Sequence, residues 1–334
     1  MKRFLSLLLA LLLLALPLTG CGGGAEGDGG STAVRLCEVT HSVFYAPQYL
    51  AMAQGYFAEE GIELSLSNGG GADKVMTAVI SGEADVGLAG PESCIYVHLE
   101  GREDAPKIFT QLTHCDGSFL VGRTDEDFSW ENLRGKTVIG GRKGGVPEMT
   151  LEYVMKQNGV IPHVDATVDT SVQFNMMAGA FTGGEGDYVA LFEPTASEVE
   201  RAGQGYILCS IGEESGEIPY TAYFAAASWL EQHPDLARGF ANAIAKALRF
   251  IDTHSDEEVA KLIMDQFPDT DLALLTKTVE RHRAIGCWGT DGVMTEAALE
   301  NLEAVMESAG ELKARVDFTE LVDNRFAEQA RTAQ

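Results

Sequence analysis

Positive charge is scarce in this chain. Its 24 lysines and arginines stand against 50 aspartates and glutamates, a formal net charge of −26. Phosphate backbones are gripped by basic stripes, so the imbalance excludes nucleic acid as a partner. It also excludes charge-driven adhesion to anionic headgroups and leaves a solvated, self-repelling surface. Cysteine is sparse as well: apart from Cys21 there are Cys37, Cys94, Cys115, Cys209 and Cys287, an odd number with no C-x-x-C spacing. That is no disulfide framework. Cys37, Cys94 and Cys209 sit in apolar runs as small hydrophobes, while Cys115 and Cys287 lie nearer polar or aromatic residues and leave one bridge open. Catalytic signatures are missing too. None of the seven histidines belongs to an H-E-x-x-H pair, no G-x-S-x-G elbow occurs, and the run Gly140-Gly141-Arg142-Lys143-Gly144-Gly145 lacks the G-K-[ST] ending of a P-loop. No metal, nucleotide site or cofactor is therefore expected.

What the chain does have begins at its start. Lys2 and Arg3 form a positive n-region, and Phe4 to Leu16 form an apolar core too short to anchor comfortably across a bilayer. Leu18-Thr19-Gly20-Cys21 resembles the lipobox of bacterial lipoproteins, whose cysteine is diacylated before cleavage. The resemblance implies a signal peptide at 1–20, a lipidated Cys21, and a flexible tether over 21–32 supplied by the glycine-rich stretch Gly22 to Ser31. Anchoring would come from acyl chains rather than charge. The folded part is then expected outside the cytoplasm, lipid-anchored to the outer face of a bacterial cell membrane. The bland alternative is a secreted protein whose cysteine happens to follow Gly20.

About three hundred residues remain, long for one compact core and natural for two lobes. Strands read at Ala33 to Val39, Ile62 to Ser67, Ala84 to Ala89 and Lys107 to Leu112, with helices at Pro47 to Gln54, Asp73 to Ser81 and Pro91 to Leu99 between them. The apolar, non-alternating Asp85 to Ala89 run suits a parallel strand covered on both faces. A second alternating series opens at Trp130. It has strands at Thr137 to Gly140, Ala166 to Val168, Tyr188 to Phe192 and Tyr206 to Cys209, and helices at Pro147 to Asn158, Val172 to Ala180 and Pro194 to Arg201. Tyr220 to Ala226 reads as a strand returning to the first lobe, and the rest as helices with capping boxes at Ser228…Glu231 and Ser255…Glu258. The expectation is an α/β fold with lobe 1 from 33–120 and 220–330 and lobe 2 from 121–219. The chain would cross between them near Phe119 to Gly122 and again at Ile211 to Tyr220, forming a hinge.

Several local patterns resemble one family. Tyr45-Ala-Pro-Gln-Tyr-Leu-Ala-Met-Ala-Gln-Gly55-Tyr56-Phe57-Ala-Glu-Glu-Gly61-Ile62, Ser81-Gly82-Glu83-Ala84-Asp85-Val86-Gly87, Trp130…Leu133-Arg134-Gly135-Lys136 and Gly186-Asp187-Tyr188…Glu193-Pro194 follow in order. Together they are similar to the type II solute-binding proteins that serve ABC importers for sulfonates, nitrate and pyrimidine precursors of thiamine. The resemblance implies a two-lobed type II periplasmic-binding-protein fold with its ligand cleft between the lobes. It also implies a monomeric receptor that delivers a small molecule to a permease driven by a separate ATPase.

Ligands in open α/β sheets gather at the carboxyl ends of strands. The residues this chain places there are the candidate ligand contacts: Ser42, Phe44, Tyr45, Asn68, Gly70, Gly90, Glu92, Ser93 and Asp116 in the first series, Arg142, Gly144, Gly145, Glu148, Thr170 and Glu193 in the second, and Tyr220 on the returning strand. Each has a plainer reading beside it. Phe44 and Tyr45 either stack on a flat ligand or fill the core. Gly69 to Gly71 either offers backbone N–H groups or merely leads into a helix. The loop before Pro147 either binds a polar group at a helix N-terminus or is structural. Glu92 and Glu148 either reach the ligand or complement helix dipoles. Glu193 either grips an amine or ring N–H, or caps the helix at Pro194.

Four carboxylates, Glu92, Asp116, Glu148 and Glu193, against Arg142 and Lys143 favour a neutral or amine-bearing nitrogen heterocycle, such as a pyrimidine precursor of thiamine. A small oxyanion, an alkanesulfonate, taurine or nitrate held by Arg142 and helix N-termini, is the alternative. A third reading is an enzyme on the same fold, like the eukaryotic pyrimidine synthases. Those rely on a C-C-C-F-C loop, where this chain has Leu191-Phe192-Glu193-Pro194-Thr195.

Overall fold

The computed structural model describes residues 31–332. The leader, Cys21 and all but the last two residues of the expected tether lie outside the described residues, and Thr32 already belongs to the first strand. Ten strands follow: β1 Thr32–Glu38, β2 Ile62–Asn68, β3 Val86–Ala89, β4 Pro106–Thr113, β5 Ser118–Gly122, β6 Thr137–Ile139, β7 Thr167–Asp169, β8 Tyr188–Phe192, β9 Tyr206–Ser210 and β10 Thr221–Ala226. They form two five-stranded sheets, ordered β2-β1-β3-β10-β4 and β7-β6-β8-β5-β9. Each sheet has the same plan. Three parallel strands are followed by an antiparallel one that the crossing chain inserts, β10 in the first sheet and β5 in the second.

Hydrophobic pattern explains most of this. Every residue of β3 is buried, as its unbroken apolar run requires when helices cover both faces. The Pro234–Thr253 helix buries Ala237, Phe240, Ala241, Ile244, Leu248 and Ile251 along one stripe. Phe240 there meets Phe57 and Phe109 with ring centroids 5.0 and 5.6 Å apart. Each sheet has its own core. The Val146–Gln157 helix joins them, giving Val146 and Met149 to the first core and Leu151, Val154 and Met155 to the second.

The crossings differ from expectation. Phe119 to Gly122 is not a connector but belongs to β5, paired on both sides. The outward passage is His114–Gly117, a polar segment between two apolar strands. The return, through the Ile211–Ser215 helix, runs beside it. Ile218 N donates to the His114 carbonyl (2.9 Å) and Tyr220 N to that of Thr113 (3.2 Å). A Cβ on Gly212 would lie 2.0 Å from the Asp116 carbonyl oxygen, so only glycine allows this approach.

Two local expectations also fail. Ser228 is no N-cap: it lies inside the Ala227–Gln232 helix and bonds Asp104 through its backbone N (2.8 Å) and hydroxyl (2.6 Å). Val172 to Ala180 divides into a 3-10 turn, Phe174–Met176, and the Met177–Thr182 helix. The Ser255 capping box is present, and all five described cysteines, Cys115 and Cys287 included, are free thiols. Among the described residues no helix is long and apolar enough to cross a membrane.

Candidate functional site

Two neighbouring cavities open between the sheets at the carboxyl ends of their strands. Their linings come from the segments that follow β1, β2, β3, β6 and β7, from the end of β8 and from the start of β10. Val39, Tyr45, Glu92, Arg142, Phe192 and Tyr220 are among the walls of the first. Its character is aromatic. Phe192 lies between Phe174 and Tyr220, with centroids 5.6 and 6.1 Å away, and such faces suit a flat, weakly polar ligand.

Glu92 supplies the polarity. It begins the Glu92–Leu99 helix after β3 and is 1% exposed. One carboxyl oxygen accepts from Val146 N at 3.4 Å, and the other, Oε2, has no partner. Oε2 lies over Gly90, where a Cβ would sit 1.9 Å from it. Burial pushes the carboxyl up to about 7, against the pull of the Arg142 charge and backbone N–H groups. Arg142 faces the same cavity, with Nε 3.8 Å from Asp73 Oδ1. A carboxyl poised between its two protonation states can accept from a ligand N–H or donate to a ring nitrogen.

The second cavity is lined by His41, Ser42, Asn68, Phe174 and Glu193 among others. His41 ties it to a buried network at the end of β1. Glu38 accepts from Gln48 Nε2 and the Tyr49 hydroxyl on one oxygen, both at 2.8 Å, and contacts His41 Nδ1 at 2.8 Å on the other. Nε2 of His41 lies 2.9 Å from the Gln266 carbonyl. Burial works against charge on this ring, yet the Glu38 and Gln266 bonds raise its pKa above the ordinary value, as two acceptors at both nitrogens demand.

Of the candidates read from sequence, Tyr45, Gly90, Glu92, Arg142, Gly145 and Tyr220 meet at the first cavity and Ser42, Asn68 and Glu193 at the second. The others do not line either. Phe44 is core, stacked 5.4 Å from His282. The Gly70 N–H is bound to Asn68 Oδ1 at 2.9 Å. The Ser93 hydroxyl donates back to the Gly90 carbonyl at 2.7 Å. Asp116 is wholly buried at the crossing, accepting from Ser118 N at 2.7 Å, and burial lifts it to about 6. Gly144 accepts from the Tyr96 hydroxyl at 2.9 Å, and Glu148 turns back to accept from Gly144 N at 3.0 Å. Thr170 is half-buried at the end of β7, off both linings.

Glu193 requires the sharpest correction. Its side chain is fully buried and its oxygens are engaged: Oε1 by Arg281 Nη1 at 2.7 Å and the Ser197 hydroxyl at 2.8 Å, Oε2 by Ser197 N at 3.0 Å. It closes the start of the following helix and an ion pair, leaving little for a ligand. Of the four carboxylates expected to converge, Glu92 lines the first cavity and Glu193, its oxygens engaged, the second, while Asp116 and Glu148 line neither.

The NMT1/THI5 like family model matches residues 43–258, which take in β2 to β10. The chain belongs to this family. This NMT1/THI5-like chain is 42% identical over 299 residues to YtlA of Bacillus subtilis (strain 168), described as a candidate binding protein; the match covers 89% of this chain and 90% of that one. Its fold is similar to the ligand-binding component of an ABC-type import system from Staphylococcus aureus (TM-score 0.74, 14% identity, 90% of this chain and 100% of that one). It is also similar to the alkanesulfonate-binding protein SsuA from Xanthomonas axonopodis pv. citri, bound to MOPS (TM-score 0.70, 14% identity, 88% and 99%). The architecture is the two-lobed type II periplasmic-binding-protein fold.

Several site residues of this family member escaped the sequence reading. Phe192 ends an apolar strand and Phe174 sat inside an expected helix, so both read as core. Glu38 read as an ordinary strand residue. Arg281 pairs with a residue 88 positions away, and no local pattern carries such a contact.

Proposed function

We propose that the protein is the extracytoplasmic substrate-binding component of an ABC importer, holding a small nitrogen heterocycle between its lobes. The observation that supports this reading is Glu92: a buried carboxyl with one oxygen unpartnered in an aromatic-walled cavity. Burying a polar atom without a partner costs about 1–3 kcal/mol, a cost that a ligand N–H removes. The role first given to Glu193 passes to Glu92. In this reading Cys21 carries the lipid that moors the chain, the monomer delivers its cargo to a permease, and a separate ATPase drives transport. The chain acts as a receptor and not as a catalyst.

A second reading has one observation in its favour. Arg142 lines the same cavity beside the first turn of the Val146–Gln157 helix, a pairing that also suits a sulfonate or another oxyanion, and SsuA of similar fold binds alkanesulfonate. Glu92 opposes it, because a carboxylate already holds the Val146 N–H that such an anion would need.

Native mass spectrometry of the protein purified from its own host tests the assignment. A retained neutral or cationic heterocycle supports it. A retained sulfonate or nitrate, or a protein whose melting temperature no pyrimidine or related heterocycle shifts, overturns it.

A further inference from the structure

We propose that Glu148, Glu152 and His163 form a binding site for a divalent transition metal of the zinc class, on the second lobe behind the cavity loop. Glu148 and Glu152 stand four residues apart on one face of the Val146–Gln157 helix, so their side chains are neighbours. His163 reaches them from the loop that follows. One ligand atom from each of the three lies within 4.8 Å of the other two, and His163 Nε2 is 2.7 Å from Glu152 Oε1.

Charge and burial ask for a cation here. Glu148 and Glu152 are 2% and 5% exposed, and two carboxyl groups facing each other out of water need a proton or a cation between them. Lys156 does not fill that place. Its Nζ is 4.0 Å from Glu152 Oε2 and is drawn instead to the Ser308 carbonyl at 2.5 Å. An imidazole nitrogen and carboxylate oxygens are among the ligands zinc takes, and three of them leave the fourth tetrahedral position for a water. Calcium and magnesium favour all-oxygen shells of six or more ligands, and no thiolate is present to select a softer ion. Ligand atoms at zinc distances lie about 3.3 Å apart, and the half-exposed His163 ring is free to close the remaining gap.

The site would not stand apart from the cleft. Glu148 Oε2 accepts from Gly144 N, whose own carbonyl accepts from Tyr96 on the first lobe. A metal drawing on Glu148 would brace the loop that carries Arg142 and Gly145 to the first cavity.

The test uses the full mature chain, made without a polyhistidine tag, titrated with zinc alone in a calorimeter. The expected result is one zinc per chain, a raised melting temperature, and at least tenfold weaker binding in His163→Gly. Glycine adopts the positive φ of 62° found at His163 without strain, so that variant folds; Glu152→Gln should lose binding likewise. Cobalt bound at the site should show visible bands of a tetrahedral nitrogen and oxygen shell. No zinc binding, binding unchanged in His163→Gly, or sulfur charge-transfer bands from cobalt would each overturn the proposal.

Discussion

Arg281 Nη1 lies 2.7 Å from Glu193 Oε1 and joins the two lobes. Arg281 belongs to the Leu272–Ala284 helix, whose Leu275 and Val279 are buried in the first core, while Glu193 closes β8 of the second sheet. The pair has company. Arg201 meets Asp271 at 2.6 Å and the Thr270 hydroxyl donates to Glu198 at 3.1 Å, so one seam of polar contacts runs along this edge.

Removing one partner of a buried pair leaves a stranded charge, which costs about 3–5 kcal/mol. Glu193 is fully buried whereas the Arg281 side chain is 20% exposed, so the two halves should not be equivalent. Arg281→Met strands the buried carboxylate and should lose the full amount. Glu193→Gln keeps one acceptor oxygen for Ser197 N but turns an amide N–H towards the Ser197 hydroxyl and Arg281, and should lose about 1–3 kcal/mol. Urea denaturation of both variants checks the order, and a larger loss in Glu193→Gln would contradict it.

His282 predicts acid sensitivity. It is wholly buried against Phe44 and Trp288, and that burial pulls its pKa down to about 4, with the Thr278 carbonyl bond opposing. The unfolded chain takes up a proton near pH 6.5 that the folded chain refuses until about 4. Stability from this residue is therefore present above pH 6.5 and falls as pH drops towards 4, by about 3 kcal/mol in all. His282→Leu should be less stable than wild type at neutral pH or equal to it, yet lose less between pH 6.5 and 4. Equal acid slopes in thermal melts of the two proteins would contradict the assignment.

Gly212→Ala places a methyl against the Asp116 carbonyl, 2.0 Å away. Both atoms belong to backbone crossings, so neither can rotate aside, and the chain must shift. A loss of about 1–3 kcal/mol is expected from overpacking, and a melting temperature unchanged from wild type would show that the crossings separate freely.

Much of the fold was legible because burial imposes a pattern on the chain. Tyr188 to Phe192 is apolar without interruption and is a central strand of the second sheet, and the return of Thr221–Ala226 to the first sheet follows from its place after the second α/β series. What was lost depends on distant partners. Phe119 to Gly122 read as a crossing since nothing local says that β8 and β9 flank it. Ser228 carries the right capping spacing, but Asp104 captures it from 124 residues away. At the site, strand ends located the cavities, while the choice among carboxylates needed side-chain directions. Glu92 and Glu193 look alike in sequence, and only the presence of Arg281 beside one of them separates their roles.

Lipidation of Cys21 is a prediction that rests on sequence alone, since the residue lies outside the described part of the chain. Leu18-Thr19-Gly20-Cys21 followed by a glycine-rich stretch should direct acylation at the cysteine. Metabolic palmitate labelling should mark the wild type and not Cys21→Ala, which should appear unprocessed or soluble. Persistent label in the variant would contradict the anchor.

The ligand class is decided by Glu92 and Arg142, because each class treats them oppositely. A heterocycle that gives its N–H to the unpartnered Glu92 oxygen should bind Glu92→Gln more weakly by about 1.5–3 kcal/mol, the worth of a hydrogen bond to a charged group. The same substitution should raise the stability of the ligand-free protein above pH 7. A carboxyl lifted to about 7 stabilises the fold below the ordinary value near 4.3 and loses that contribution as pH rises through 7. Glutamine stays neutral throughout. A sulfonate, by contrast, gains when the carboxylate is removed and should hold or improve its affinity, while Arg142→Ala should abolish its binding. Calorimetric titration of both variants with whichever compound binds wild type separates the classes: weakened Glu92→Gln with tolerant Arg142→Ala supports the heterocycle, and the reverse pair of results hands the site to an oxyanion.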